Sequence, residues 1–209
     1  MADVRYRAFR KGDFRDLADI VGEFWHERPD KDEQLLLGTI DLATCLRRTT
    51  HSQVALADGR PVGMMLVRAG DCGVAAKNFW QRVVQEAFDS LYELDPDLFD
   101  QTLARSEAET AINARLLQES GCDERFEIVL FILDSAVRGR GIGCDLFAGA
   151  EDYLIEKGAH EAFLYTDESC DWGFYEHRGL RRAAEDHPAP REDAPLLPGY
   201  YLYVDDLLR

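Results

Sequence analysis

Between Phe126 and Gly143 the chain passes from an almost continuous apolar run, Phe126-Glu127-Ile128-Val129-Leu130-Phe131-Ile132-Leu133, through Asp134 to Val137, into a turn holding three glycines, Arg138-Gly139-Arg140-Gly141-Ile142-Gly143. The run suits a strand covered on both faces. Asp145 to Lys157 then places Leu146, Phe147, Ala150, Tyr153 and Leu154 at helical spacing, and Gly158 supplies the stop. A buried strand that enters a helix through glycines lets the backbone approach a ligand closely, and the free N–H groups of the first helical turn favour an anion such as a diphosphate. Each such interaction is worth only about 0.3–1 kcal/mol, so several N–H groups must converge. The spacing excludes two common sites of this kind. A dinucleotide fingerprint needs glycine where Cys144 stands, and the nucleotide-triphosphate loop needs a Gly-Lys-Ser/Thr that is absent.

The flanking segments read as a single α+β unit over residues 1–209. Val4 to Phe9 alternates like a strand. Asp13 is placed as the N-cap of a helix carrying Phe14, Leu17, Ile20, Val21, Phe24 and Trp25 on one face, followed by Pro29. A leucine-rich helix is expected over Glu33 to Arg47. Gln53 to Ala57 and Pro61 to Arg68 form a hairpin on Asp58-Gly59-Arg60. Residues 71–125 interrupt the β-pattern with an inserted helical hairpin, its internal break at Asp95-Pro96-Asp97. One helix carries Trp80, Val84, Ala87, Phe88 and Leu91. The other is expected to begin near Ser106, which forms a capping-box pair with Glu109, and to stop at Gly121. After the glycine turn come a strand at Ala162 to Thr166, a short helix at Trp172 to Arg178, and strands at Arg181 to Glu185 and Tyr200 to Asp206. A loop with Pro188, Pro190, Pro195 and Pro198 separates the last two.

Composition narrows the class of partner. The longest wholly apolar stretch, Ile128 to Leu133, is far short of the roughly 20 residues of a membrane span. The N-terminus lacks the hydrophobic core of a secretory signal, so a cytoplasmic protein with no membrane partner is expected. Forty acidic residues against 24 basic ones give a net charge of -16, which argues against nucleic acid and favours cationic small molecules or peptides, or serves solubility alone. Five cysteines without a C-x-x-C pair indicate neither a disulfide framework nor a metal site.

The glycine turn resembles the Arg/Gln-x-x-Gly-x-Gly/Ala signature of the GNAT superfamily, met here by Arg138, Gly141 and Gly143. Phe174-Tyr175-Glu176-His177-Arg178-Gly179-Leu180 is similar to the family's Phe-Tyr-Glu-x-x-Gly-Phe element, with Leu180 in place of phenylalanine. The likeness covers residues 126–206 by motif, residues 4–70 by pattern only, and not the insertion. It implies the layered α/β/α acyl-coenzyme A N-acyltransferase fold: a mixed, mostly antiparallel sheet with splayed central strands, here with a helical insertion before the coenzyme-binding strand. It implies acetyl-coenzyme A as co-substrate and no metal. The backbone of Phe131, Ile132 and Leu133 would bind the pantetheine arm like an added strand. Gly139, Arg140, Gly141, Ile142, Gly143 and Cys144 would cradle the diphosphate, with Arg138 and Arg140 at its oxygens.

By the same resemblance Tyr175 would protonate the departing thiolate. A phenol with pKa near 10 keeps its proton at neutral pH, which suits that task. Glu127 stands eleven residues before Arg138, as does the general-base glutamate of the histone acetyltransferase branch, and would deprotonate the acceptor amine. The family's asparagine before the tyrosine is missing, Glu168 and Asp171 being the polar residues there. Glu23, His26 and Glu27 border the expected acceptor side. Cys144 and Cys170 have no histidine nearby in sequence, so direct attack in a ternary complex is preferred over an acyl-cysteine. The acceptor is expected to be a cationic primary amine, on a small molecule or a peptide. It would approach over the first helix, the insertion and the Pro188 to Pro198 loop. Two other readings stay open: a catalytically silent acyl-coenzyme A-binding module engaging a partner through the insertion, and a structural α+β domain with no ligand, in which the glycine turn is coincidental. Either the enzyme or the module is compatible with a homodimer.

Overall fold

The computed structural model describes residues 3–189 and 197–208; Pro190 and Pro195 of the proline-rich loop lie outside the described residues. Strands β1 (Val4–Arg7), β2 (His51–Ala57), β3 (Arg60–Ala69), β4 (Phe126–Leu133), β5 (Glu161–Asp167), β6 (Arg181–Asp186) and β7 (Tyr200–Asp206) form one sheet in the order β1-β2-β3-β4-β5-β7-β6. All neighbours are antiparallel except β4 and β5. The β2–β3 hairpin turns on Asp58 and Gly59, at φ 51° and 82°. Two successive left-handed residues match the twist of the strands, and an Asp-Gly pair is the sequence that tolerates them.

Helices α1 (Phe14–Trp25), α2 (Lys31–Leu46), α3 (Val74–Leu94) and α4 (Pro96–Ser120) cover one face, and α5 (Ile142–Glu156) and α6 (Gly173–His177) the other. The period-two pattern of the strands divides the core accordingly. Phe163, Tyr200, Leu202 and Val204 face Ile112 and Leu116 of α4, while Leu164, Tyr201 and Tyr203 face the α5 side. Leu17, Val21, Leu42, Val54, Met64 and Leu66 fill the block under α1 and α2. Each buried side chain of this size contributes about 1.5–3 kcal/mol. α1 and α2 cross at glycines: a Cβ on Gly38 would stand 2.1 Å from Ala18 O, and one on Gly22 would stand 2.5 Å from Gln34 O. No described helix is long and apolar enough to cross a membrane.

Several local expectations change. The second inserted helix starts at Pro96, not near Ser106. Asp95 accepts from Leu98 N, and Pro96 occupies the first turn, where its missing N–H is not needed. Ser106 is thus mid-helix, and Glu109 binds Arg105 and Tyr200 instead of a helix end. α2 begins at Lys31 because Asp30 caps Asp32 N and Glu33 N. Asp13 precedes α1 but does not cap it. Its carboxylate is taken by both Arg7 guanidinium nitrogens, at 2.6 and 2.7 Å, and by Arg10 N. α5 begins at Ile142, earlier than Asp145, because Gly141 at φ 81° turns the chain directly into the helix. The inserted helices also diverge from a simple hairpin. α3 packs chiefly on α2, and α4 crosses to β6 and β7.

That divergence positions the site. β4 and β5 pair at Glu127–Phe163 and then part. β4 also holds one extra residue, Val129, between the Leu66–Leu130 and Val67–Ile128 pairs, a bulge that bends the strand. A wedge therefore opens in mid-sheet, with the α1–α3 block on one side of it and α4 on the other.

Candidate active site

The wedge is a cavity of about 520 Å³. One wall is the β4 edge from Ile128 to Leu133, whose backbone groups on that side have no β5 partner beyond Glu127. Unpaired strand edges hydrogen-bond extended ligands readily. The opposite wall is Leu164, Tyr165 and Thr166 of β5, with Cys170, Asp171, Phe174 and Tyr175 from the β5–α6 connection and α6.

The glycine turn closes one end. Asp134 orders it by accepting from Ala136 N at 2.8 Å while its own N–H binds Val62 O. Gly139 and Gly141 then take φ 73° and 81°, which side-chain-bearing residues rarely adopt. α5 starts close over β4, since a Cβ on Gly143 would come 3.1 Å from the Phe131 ring. Among the described residues no group accepts a hydrogen bond from the N–H groups of Gly139 through Cys144. Buried or not, such groups seek acceptors, and a run of them at a helix start is an anion cradle.

Of the residues expected in the coenzyme site, Phe131, Ile132, Leu133, Arg138, Gly139, Gly141, Gly143 and Cys144 line the cavity. Arg140 does not, and the Ile142 side chain is buried in the core, leaving only its backbone at the turn. Arg138 lies with its guanidinium 5.1 Å over the Phe24 ring, joining the turn to the end of α1. Phe24 and Trp25 line the cavity, whereas Glu23, His26 and Glu27 do not; His26 Nε2 is held by Asp41 at 2.5 Å.

Tyr175 lines the cavity, its ring packed among Phe147, Phe174 and Tyr203 at 5.7–6.3 Å between centroids. Arg178 pins α6 to α5 through Glu151 and the Phe147 ring. No described residue hydrogen-bonds the Tyr175 hydroxyl. Burial raises its pKa above the ordinary phenol value, and the nearby Cys170 and Asp171 add to the rise. Burial likewise pushes the Cys170 thiol up.

Glu127 is not brought into the cavity. It is 1% exposed and lies at the apex of the wedge between Arg68 of β3, at 2.8 and 3.1 Å, and Arg48, which follows α2. Its Oε1 is 2.6 Å from Arg48 Nη1 without hydrogen-bond geometry, so that contact is one of charge with charge. Tyr165, pushed up to about 12 by burial and by Glu127, donates to Asn113 O of α4 and completes the cluster. To meet an acceptor amine Glu127 would have to release both arginines.

Sequence reasoning missed Tyr165, Val129 and the two aromatic residues ending α1. The apolar spacing of α1 marked Phe24 and Trp25 as core residues, and nothing local distinguishes a core face from a cavity wall. Among the described residues no group of three or more His, Cys, Asp or Glu could hold a metal ion, and the five cysteines are unpaired.

The family model described as "Acetyltransferase (GNAT) family" matches residues 14–180. No curated protein matches the chain. Solved structures align along nearly its whole length. Arylalkylamine N-acetyltransferase 2 from Aedes aegypti is 17% identical, with a TM-score of 0.58 over 98% of this chain and 99% of that one. SsHAT is 16% identical, with a TM-score of 0.63 over 98% of each chain. An N-acetyltransferase from Staphylococcus aureus Mu50 is 14% identical, with a TM-score of 0.53 over 99% of each. At these identities the likeness shows the fold alone.

Proposed function

The chain belongs to the acetyltransferase (GNAT) family and is an acyltransferase, and on that premise we propose that it moves an acetyl group from acetyl-coenzyme A to the primary amine of a small molecule or peptide. The observation that carries the coenzyme assignment is the run of unclaimed N–H groups from Gly139 to Cys144 at the mouth of a cavity whose other wall is an unpaired strand edge. The first fits a diphosphate and the second the amides of a pantetheine arm. Acetyl-coenzyme A supplies an activated thioester, and the protein's residues do the rest.

The turn and the Phe131 to Leu133 edge fix the thioester in the wedge, so that an amine entering opposite the turn meets it at close range. The amine nitrogen forms a bond to the carbonyl carbon as the carbon–sulfur bond breaks. Tyr175 gives its proton to the departing thiolate. The acceptor ammonium loses one proton to solvent before attack and a second afterwards, and the second restores the phenol through solvent. Cys170, kept a thiol by burial, is unsuited to carry the acyl group, which favours direct transfer. Glu127 acts as a clamp at the apex of the wedge rather than as the base.

Gly141→Val tests the coenzyme site. A Cβ at Gly141 meets no protein atom within 4 Å, but at φ 81° a β-branched residue strains the turn that presents the N–H groups. Calorimetry is expected to show acetyl-coenzyme A binding weakened at least tenfold, about 1.4 kcal/mol. Unchanged affinity in a folded variant would remove the turn from the coenzyme site.

A further inference from the structure

Two charged residues, Arg138 and Asp171, line the cavity. They serve different parts of the wedge. Arg138 belongs to the glycine turn, whereas Asp171 sits in the β5–α6 connection, next to Cys170 and four residues before Tyr175, whose ionisation it opposes. Five neighbouring carboxylates are engaged, and Glu23 and Glu27, beside Phe24 and Trp25, do not line the cavity. Glu127 is held by Arg48 and Arg68. Asp145 accepts from Tyr6 at 2.6 Å and Asp134 from Ala136 N. Asp167 is occupied by Ser169, and Glu168 by Gly199 N and Tyr201. The Asp171 carboxylate has no hydrogen-bond or ion-pair partner among the described residues, although its backbone is fixed by donation from Phe174 N to its carbonyl at 3.1 Å. An exposed, unpartnered carboxylate on a fixed backbone, at the edge of a mostly apolar cavity, is a ready counter-ion for a cation that enters the cavity.

We propose that Asp171 receives the ammonium group of the acceptor and thereby sets the substrate class: a primary alkylamine carrying one positive charge on an apolar or aromatic body. The proposal rests on the acetyltransferase reading above. The body of the acceptor lies against Phe24, Trp25, Val129, Leu130 and Tyr165, which present rings and hydrocarbon. A polyamine would leave its further charges against that apolar wall, which is costly. An amino acid would bring its own carboxylate toward Asp171 and find no cation in the wall except Arg138 at the coenzyme turn.

The test uses the full chain, acetyl-coenzyme A and four acceptors: a phenylalkylamine, a linear polyamine, an amino acid, and an arylamine that is uncharged at neutral pH. The wild-type protein is expected to have the highest kcat/KM with the phenylalkylamine. Asp171→Asn should raise KM for that amine at least tenfold and Asp171→Lys should raise it further. KM for the uncharged arylamine should change less than threefold, and acetyl-coenzyme A affinity by calorimetry should not change. Equal losses for charged and uncharged acceptors, or no loss for the phenylalkylamine, would overturn the role of Asp171. Preference for the polyamine or the amino acid would overturn the substrate class. Failure of the wild-type protein to bind acetyl-coenzyme A would instead overturn the reading beneath it, which the calorimetry detects separately.

Discussion

Tyr175→Phe is expected to lower kcat by about 10²–10⁴-fold, the usual contribution of a positioned acid, while acetyl-coenzyme A affinity changes by less than threefold. Only the hydroxyl is lost, and the ring keeps its contacts with Phe147, Phe174 and Tyr203. The hydroxyl is free to meet a leaving group because no described residue binds it. The pH dependence follows in sign. The donor works while protonated and is lost as pH rises through its pKa. Burial raises that pKa above the phenol norm of about 10, so the loss moves to higher pH. Turnover at saturating amine should therefore show no falling limb up to about pH 10 in the wild-type protein. Steady-state kinetics and calorimetry on the same preparations check both statements. A fall in kcat below threefold in a variant that still binds coenzyme would reduce Tyr175 to a packing residue.

Glu127→Gln is expected to act on stability first. The substitution leaves Arg48 and Arg68 converging on a neutral amide at a site that is 1% exposed. Breaking a buried pair costs about 3–5 kcal/mol. Both arginines are partly exposed, at 39% and 24%, so screening places the loss at the lower end, on the order of 3 kcal/mol. In a chain of this size that lowers Tm by roughly 6–12 °C, measurable by differential scanning calorimetry. Below that transition, any change in rate should be the same for amines of high and low pKa. The opposite pattern would be an unchanged Tm, slow acetylation of high-pKa amines at neutral pH, and recovery at high pH where free amine is already present. It would restore the base role that the family resemblance implies.

The contrast between these two residues shows where sequence is informative. The position of Tyr175 on the cavity wall follows from a local string, since Phe174 to Leu180 specify a short helix and its stop within a few residues, while the role proposed for it comes from the family resemblance. The glycine turn is equally local: an apolar strand, glycines at the two left-handed positions and a helix onset lie in one continuous stretch. Glu127 is different. Its environment is made by Arg48 and Arg68, which reach it only because β3 pairs with β4 and because α2 ends above that pair. Spacing along the chain relates Glu127 to Arg138 but says nothing of these partners.

The insertion was legible as two helices broken at Asp95-Pro96, yet the Ser106–Glu109 pattern suggested a later start because a capping box and a mid-helix pair share the same spacing. What α3 and α4 do was not legible. One packs on α2 and the other on β6 and β7, and this separation flanks the wedge in which Trp25, Tyr165 and Asp171 face one cavity.

The most direct measurement is acetyl-coenzyme A turnover by the wild-type protein with a panel of primary amines, following free coenzyme A and acetylated amine together. Amine-dependent release of coenzyme A matched by acetylated product, greatest for an apolar-bodied monoamine, is the result predicted here. Tight binding of acetyl-coenzyme A with no release for any amine would contradict it, and would leave a coenzyme-binding module built on the same turn.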